Sequence, residues 1–100
     1  MRHKFNAKPT VKNGLKFPSK AEARRYDQLM AMKVLGHISF FLRQVPFDLP
    51  GGITYRADFL IFWSDGTCTV EDVKGYETQE FKIKRKLLES TYPIELEIVK

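Results

Sequence analysis

A small α/β domain is the fold class this sequence predicts, in the order helix, three strands, helix, strand. Three observations carry that expectation: a capped helical period after residue 19, two apolar strands flanking Ser64-Asp65-Gly66, and a basic helical segment leading into a last alternating strand. The chain has 100 residues, of which 43% are hydrophobic and 13% aromatic. A chain of that length buries about two-thirds of its unfolded surface, enough for one core and no more.

Each element has its own signal. Residues 1–17 carry Arg2, Lys4, Lys8, Lys12 and Lys16 with no acid, so the net charge of +5 lies entirely there; the other twelve basic residues face all twelve acids. Pro9, Asn13 and Gly14 interrupt any period, and the segment reads as a basic, mobile arm ahead of a domain spanning 18–100. Such an arm suits a phosphate backbone, with Lys8, Lys12 and Lys16 as candidate contacts; a solubilising terminus is the plainer reading. Pro18, Ser19 and Glu22 form a capping-box pattern, and Gly36 supplies a stop, which predicts a helix over 20–35. Tyr26, Leu29, Met30 and Val34 recur at helical spacing and should face the sheet, with Arg24, Asp27, Gln28 and Lys33 outward.

Residues 38–47 read as a strand, interrupted by Arg43 and Gln44, and 48–52 as a turn. Gln44 is a polar residue inside that strand, either structural or placed to bind a water or phosphate. Residues 54–63 and 67–74 are rich in β-branched and aromatic residues and form a hairpin. Thr78 should cap a second helix running to Ser90, and 94–99 should make a final strand parallel to the one before that helix. On the second helix Phe81, Ile83, Leu87 and Leu88 leave an apolar side for packing. Lys82, Lys84, Arg85 and Lys86 make the rest basic, which is ordinary for a solvated helix and also suited to gripping a nucleic-acid backbone.

The hairpin register decides which acids meet. A two-residue Asp65-Gly66 turn would send Asp58 and Asp72 to opposite faces and bring Glu71 beside Asp58 instead. A three-residue Ser64-Asp65-Gly66 loop with Gly66 left-handed pairs Trp63 with Thr67, Leu60 with Val70 and Asp58 with Asp72, on one face with Lys74. Two carboxylates about 4 Å apart repel by roughly 4 kcal/mol at an effective dielectric near 20, and a bound cation is the simplest compensation. Two acids with an adjacent ammonium group are what metal-assisted cleavage of a phosphodiester requires. Ion pairs of Asp58 with Arg56 or Lys74 at a solvated strand end are the structural alternative. Glu22 is explained as the reciprocal member of the helix cap, or as a further carboxylate pointing into the site.

Lone Cys68 cannot form an intramolecular disulfide and reads as a small buried side chain, in keeping with a reducing cytoplasm. No apolar stretch approaches the roughly 18 residues of a membrane span, and no secretory signal is expected at the N-terminus.

Asp58, then Asp72-x-Lys74, preceded by a helix bearing Glu22 and followed by a basic helix, resembles the PD-(D/E)xK nuclease superfamily. The phrases FPSKAEARRYDQL, RQVPFDL, YRADFLIF and VEDVKGYET are similar, more narrowly, to small, mostly phage-encoded proteins within it. Those proteins are catalogued by unknown function and suggested to be Holliday-junction-type endonucleases. The likeness runs from Phe17 to Lys100. It implies an αβββαβ restriction-endonuclease-like core with a mixed four-stranded sheet, and Mg²⁺- or Mn²⁺-dependent hydrolysis of DNA. On that likeness Asp58 and Asp72 would ligate metal, with the Val73 carbonyl adding a ligand; Lys74 would position the water and stabilise the transition state. Glu22 would orient a water or help hold a second metal. Ala57 stands where the superfamily motif has proline.

The expected function is therefore a metal-dependent DNA endonuclease acting on branched DNA, as a homodimer because symmetric junction cutting needs two active sites. Its DNA contacts would be Lys8, Lys12, Lys16, Gln44, Lys82, Arg85 and Lys86. A nonenzymatic DNA-binding or assembly module with the same fold is the alternative, and an RNA-directed nuclease a weaker third.

Overall fold

The computed structural model describes residues 9–100. A first short hairpin pairs β1 (Thr10–Lys12) with β2 (Leu15–Phe17), and helix α1 (Lys20–Val34) follows. The main sheet is formed by β3 (Ile38–Leu49), β4 (Ile53–Trp63), β5 (Cys68–Val73) and β6 (Leu96–Val99), in that spatial order, with helix α2 (Gln79–Thr91) between β5 and β6. β3, β4 and β5 run antiparallel and β6 is parallel to β5, so the main sheet is the expected mixed one of four strands.

Both helices begin where their caps require. Ser19 Oγ accepts from the Glu22 N–H at 3.1 Å, and Thr78 Oγ1 accepts from the Phe81 N–H at 3.1 Å. α1 stops because the Gly36 N–H returns to the Lys33 carbonyl and the His37 N–H to the Met32 carbonyl, the paired bonds of a Schellman ending.

The two helices cover opposite faces of the sheet. Leu29 of α1 packs with Ile38, Phe59 and Ile61, flanked by Tyr26, Met32 and Phe41. Phe81 and Leu88 of α2 pack with Leu49, Tyr55, Ala57, Val70 and Leu96. Four residues expected to pack inward do not. Met30 and Val34 point away from the sheet, Val34 being 84% exposed, because the packed stripe is Ala23, Tyr26, Leu29 and Met32 at steps of three. Ile83 is 65% exposed, since α2 comes down on the sheet through Phe81, Leu87 and Leu88. Cys68 is exposed, because it opens β5 at the end of the sheet away from the α2 cluster.

Two boundaries also shift. β3 runs on to Leu49, leaving a 3-10 turn of Pro50–Gly52 as the connection, and β6 begins at Leu96. Residues 10–17 are a folded hairpin rather than an arm. The Asn13-Gly14 pair takes φ of 52° and 78°, the left-handed pair that a two-residue hairpin turn demands and that asparagine and glycine supply most easily. Phe17 is buried, and Arg43 stacks over its ring at 4.1 Å while donating to the Lys16 carbonyl at 2.8 Å.

β4 positions the site. Its regular ladder to β5 ends at Phe59↔Glu71, and its ladder to β3 skips Gln44 and Asp58. Tyr55 and Ala57 pack on the α2 side, whereas Phe59 and Ile61 pack on the α1 side. Residues two apart in a regular strand share a face, so β4 rolls over at Asp58.

Candidate active site

The three-residue loop fixes the register at the roll. Trp63 N–H donates to the Thr67 carbonyl at 2.9 Å, Gly66 has φ of 92°, and Leu60 pairs with Val70. Glu71 accordingly faces α1, and it is Asp72 that meets Asp58. The alternative pairing of Asp58 with Glu71 is thereby removed.

The two aspartates do not stand side by side on one face as the regular alternation predicts. Each reaches across to the other's strand: the Asp58 N–H donates to Asp72 Oδ1 at 2.8 Å, and the Val73 N–H donates to Asp58 Oδ2 at 2.8 Å. These side chains replace the ladder bonds that the roll of β4 removes, forming a reciprocal clasp between β4 and β5. Beyond it the acids diverge. Asp58 Oδ1 accepts from Gln44 Nε2 at 3.3 Å, while Asp72 Oδ2 accepts from the Tyr55 hydroxyl and lies 3.9 Å from Lys74 Nζ.

Glu22 enters from the first turn of α1. Its backbone N–H is held by the Ser19 cap, but its carboxylate accepts from Gln44 Nε2 at 2.9 Å and stands within hydrogen-bonding reach of Asp58. The backbone N–H completes the Ser19 cap, but the side chain turns to the acidic cluster and not back to the Ser19 N–H, so Glu22 follows the site expectation and not the reciprocal cap. Lys74 leaves the end of β5, its N–H held by the Val99 carbonyl at 2.9 Å and its ammonium 4.8 Å from the Phe81 ring. Glu22, Gln44, Asp58, Asp72 and Lys74 therefore come together from four elements and one strand end.

Burial makes this cluster electrostatically expensive. Glu22 is 3% exposed, and desolvation together with the Asp58 carboxylate pushes its pKa up to about 8. Gln44 and Arg43 pull the other way and lose. Asp72, 1% exposed, is pushed by burial to about 6 against the Asp58 N–H and Lys74. Both acids hold protons more tightly folded than unfolded, so the native state binds more protons and these groups lose stabilising effect as pH rises. The melting temperature of the metal-free protein is expected to fall through the window from about 4 to about 8 that the two shifts span. Thermal melts across that range check it; a temperature that climbs towards pH 8 would contradict the burial of uncompensated acids.

An all-oxygen donor set suits Mg²⁺ or Mn²⁺. Among the described residues no three acids, histidines or cysteines stand in ligating geometry. Mg²⁺ commonly takes only one or two carboxylates, with waters and phosphates completing its shell, so Asp58 with Glu22 or Asp72 fits that modest demand.

The other expected contacts are scattered. Lys16, Lys82 and Lys86 are exposed; Lys12 is ion-paired with Asp27; Lys8 lies outside the described residues. Arg85 is committed to structure, donating to the Leu96 carbonyl at 2.8 Å and pairing with Glu89 at 3.5 Å, which also accepts from the Leu96 N–H. Arg56, a possible partner of Asp58 by sequence, donates instead to the Gln44 carbonyl at 3.2 Å.

Sequence reasoning missed Tyr55 and Arg25. Tyr55 carries the only signal of a phenol near the start of β4, three residues before Asp58. Arg25 stands one turn after Glu22 and grips buried Glu71 with two bonds, Nε to Oε1 at 2.9 Å and Nη2 to Oε2 at 2.7 Å.

A family profile described as "protein of unknown function (DUF1064)" matches residues 2–100. The chain belongs to this family. The match takes in the N-terminal hairpin as well as the sheet and helices. No curated protein and no solved structure matches the chain. No helix among the described residues is long and apolar enough to cross a membrane.

Proposed function

We propose that this DUF1064 protein is a divalent-metal-dependent DNA endonuclease that hydrolyses phosphodiester bonds in branched DNA such as a Holliday junction. The observation that carries the reading is the convergence of Glu22, Asp58, Asp72 and Lys74 at the point where β4 abandons its regular ladder. The Arg25–Glu71 pair contributes to the same end, since it ties α1 to β5 one turn from Glu22 and one residue from Asp72.

A bound Mg²⁺ or Mn²⁺ would polarise the phosphate and lower the pKa of an attacking water. Asp58 and Asp72 would hold it, with the Val73 carbonyl as a further oxygen. Lys74, beside Asp72, would orient the water and offset charge on the phosphate as it becomes pentavalent. Glu22 would orient a water or help hold a second cation. Lys12 and Lys16 on the hairpin, and Lys82 and Lys86 on α2, would contact the DNA backbone through its phosphates. Symmetric cutting of a junction calls for a homodimer, and DNA is the partner expected in the cytoplasm.

The clasp favours one competing reading. Asp58 and Asp72 each already satisfy backbone N–H groups, so the acids have a structural use in a nonenzymatic DNA-binding module. An end-labelled four-way DNA junction, with linear duplex alongside, separates the two. Mg²⁺-dependent cuts in the junction that EDTA abolishes are the expected result. Tight binding without cutting in either Mg²⁺ or Mn²⁺ would replace the enzyme with the binding module.

A further inference from the structure

Gln44 lies inside the 12-residue β3, between Arg43 and Val45, which both pair regularly with β4. Its counterpart on β4 is Asp58, where the ladder is interrupted, and Gln44 has φ of 53°. A glutamine in the left-handed region is uncommon and strained, and such strain persists only when surrounding contacts enforce it. The contacts here are Arg56 Nη1 on its carbonyl at 3.2 Å and, on its side chain, two carboxylates. Gln44 Nε2 donates to Glu22 Oε2 at 2.9 Å and to Asp58 Oδ1 at 3.3 Å.

An amide nitrogen has two hydrogens, and this geometry directs them at two different acids. The nitrogen therefore sits between Glu22 and Asp58, where electrostatics would otherwise place a cation. Arg43, the nearest fixed positive charge in sequence, is turned aside: its guanidinium stacks on Phe17 at 4.1 Å and lies 5.8 Å from the centre of the Tyr26 ring. The neutral amide does the bridging.

We propose that Gln44 is a built-in stand-in for a divalent cation at the Glu22–Asp58 position, bridging those two acids in the metal-free protein and withdrawing its amide when a cation binds between them. The inference rests on the metal-binding reading of this site and adds a competitor to it. Cation entry costs two hydrogen bonds to Gln44 and frees its strained backbone to relax. The free protein consequently binds cation more weakly than its carboxylates alone would allow. Gln44 is a positioning residue in this scheme, and its amide acts on the acids rather than on DNA.

Calorimetric titration of Mn²⁺ into the natural protein, Gln44→Asn and Gln44→Gly, all at pH 8.5, tests it. Asparagine tolerates the left-handed backbone but is one methylene too short to bridge both acids, and glycine adopts the same φ without strain, so one of the two keeps the fold if the other fails. Both variants are expected to bind Mn²⁺ at least about tenfold more tightly, the change that loss of one competing charge-assisted hydrogen bond corresponds to, since asparagine gives up one of the two bonds and glycine both. Unchanged or weaker binding, with the natural protein still binding Mn²⁺ and Asp58→Asn abolishing it, would overturn the stand-in and leave the metal site intact. Failure of all the proteins to bind Mn²⁺ would overturn both.

Discussion

Asp72→Asn is expected to lower Mg²⁺-dependent cleavage by more than the roughly 10- to 100-fold that loss of an outer-shell partner typically costs, while leaving the fold unchanged. The clasp explains why asparagine is the informative substitution. Its amide oxygen can still accept from the Asp58 N–H, and its amide nitrogen then faces the Tyr55 hydroxyl oxygen, which can accept. Charge disappears from the site while the bonds between β4 and β5 persist. Asp72→Ala would lose both contacts and confuse chemistry with stability. Lys74→Ala is the companion variant, since its ammonium lies 3.9 Å from Asp72 Oδ2 and takes no part in the clasp. Single-turnover cleavage of the junction and a thermal melt, run side by side, measure both effects. Full activity in Asp72→Asn would end the assignment.

The second large effect concerns stability. Arg25→Ala leaves Glu71, 3% exposed, without the guanidinium that satisfies both its oxygens, and removal of one partner from a buried pair costs about 3–5 kcal/mol. Domains of this size are stable by on the order of 5–15 kcal/mol, so the variant should lose a large share of its margin. Arg25→Met combined with Glu71→Leu should restore most of it, because a packed apolar pair of similar volume is no worse than a buried ion pair. Urea denaturation gives both numbers. A loss below about 1 kcal/mol in Arg25→Ala would mean that water reaches Glu71 freely and that the pair behaves like one on the surface.

Much of this architecture was legible because its signals are local. Ser19 and Thr78 announce helix starts, Gly36 a helix end, and Ser64-Asp65-Gly66 a hairpin whose loop length fixes the pairing from Phe62↔Cys68 to Phe59↔Glu71. The Asn13-Gly14 hairpin was equally local but was read as an interruption, since strands of three residues carry too little alternation to be noticed. The site was legible as a set of residues and not as a geometry. Asp58, Asp72, Lys74 and Glu22 do gather, but the roll of β4 depends on packing against two helices at once, which no window of sequence contains. Arg25 and Glu71 are 46 residues apart, and nothing near either one marks the other. The same holds for Tyr55 and Asp72, whose contact exists because β4 turns its first half towards α2.

The clasp also changes how relatives of this protein should be read. Asp58 and Asp72 hold two strands together, so a descendant without any chemistry would still need an acceptor oxygen, from aspartate or asparagine, at both positions. Lys74 bears no such burden, for its side chain closes no gap in the sheet. Natural selection would keep an acceptor side chain at 58 and 72 in active and inactive lineages alike and release the lysine only in the inactive ones. On the nuclease proposal, the residue at position 74 would then mark the family members that retain the proposed activity.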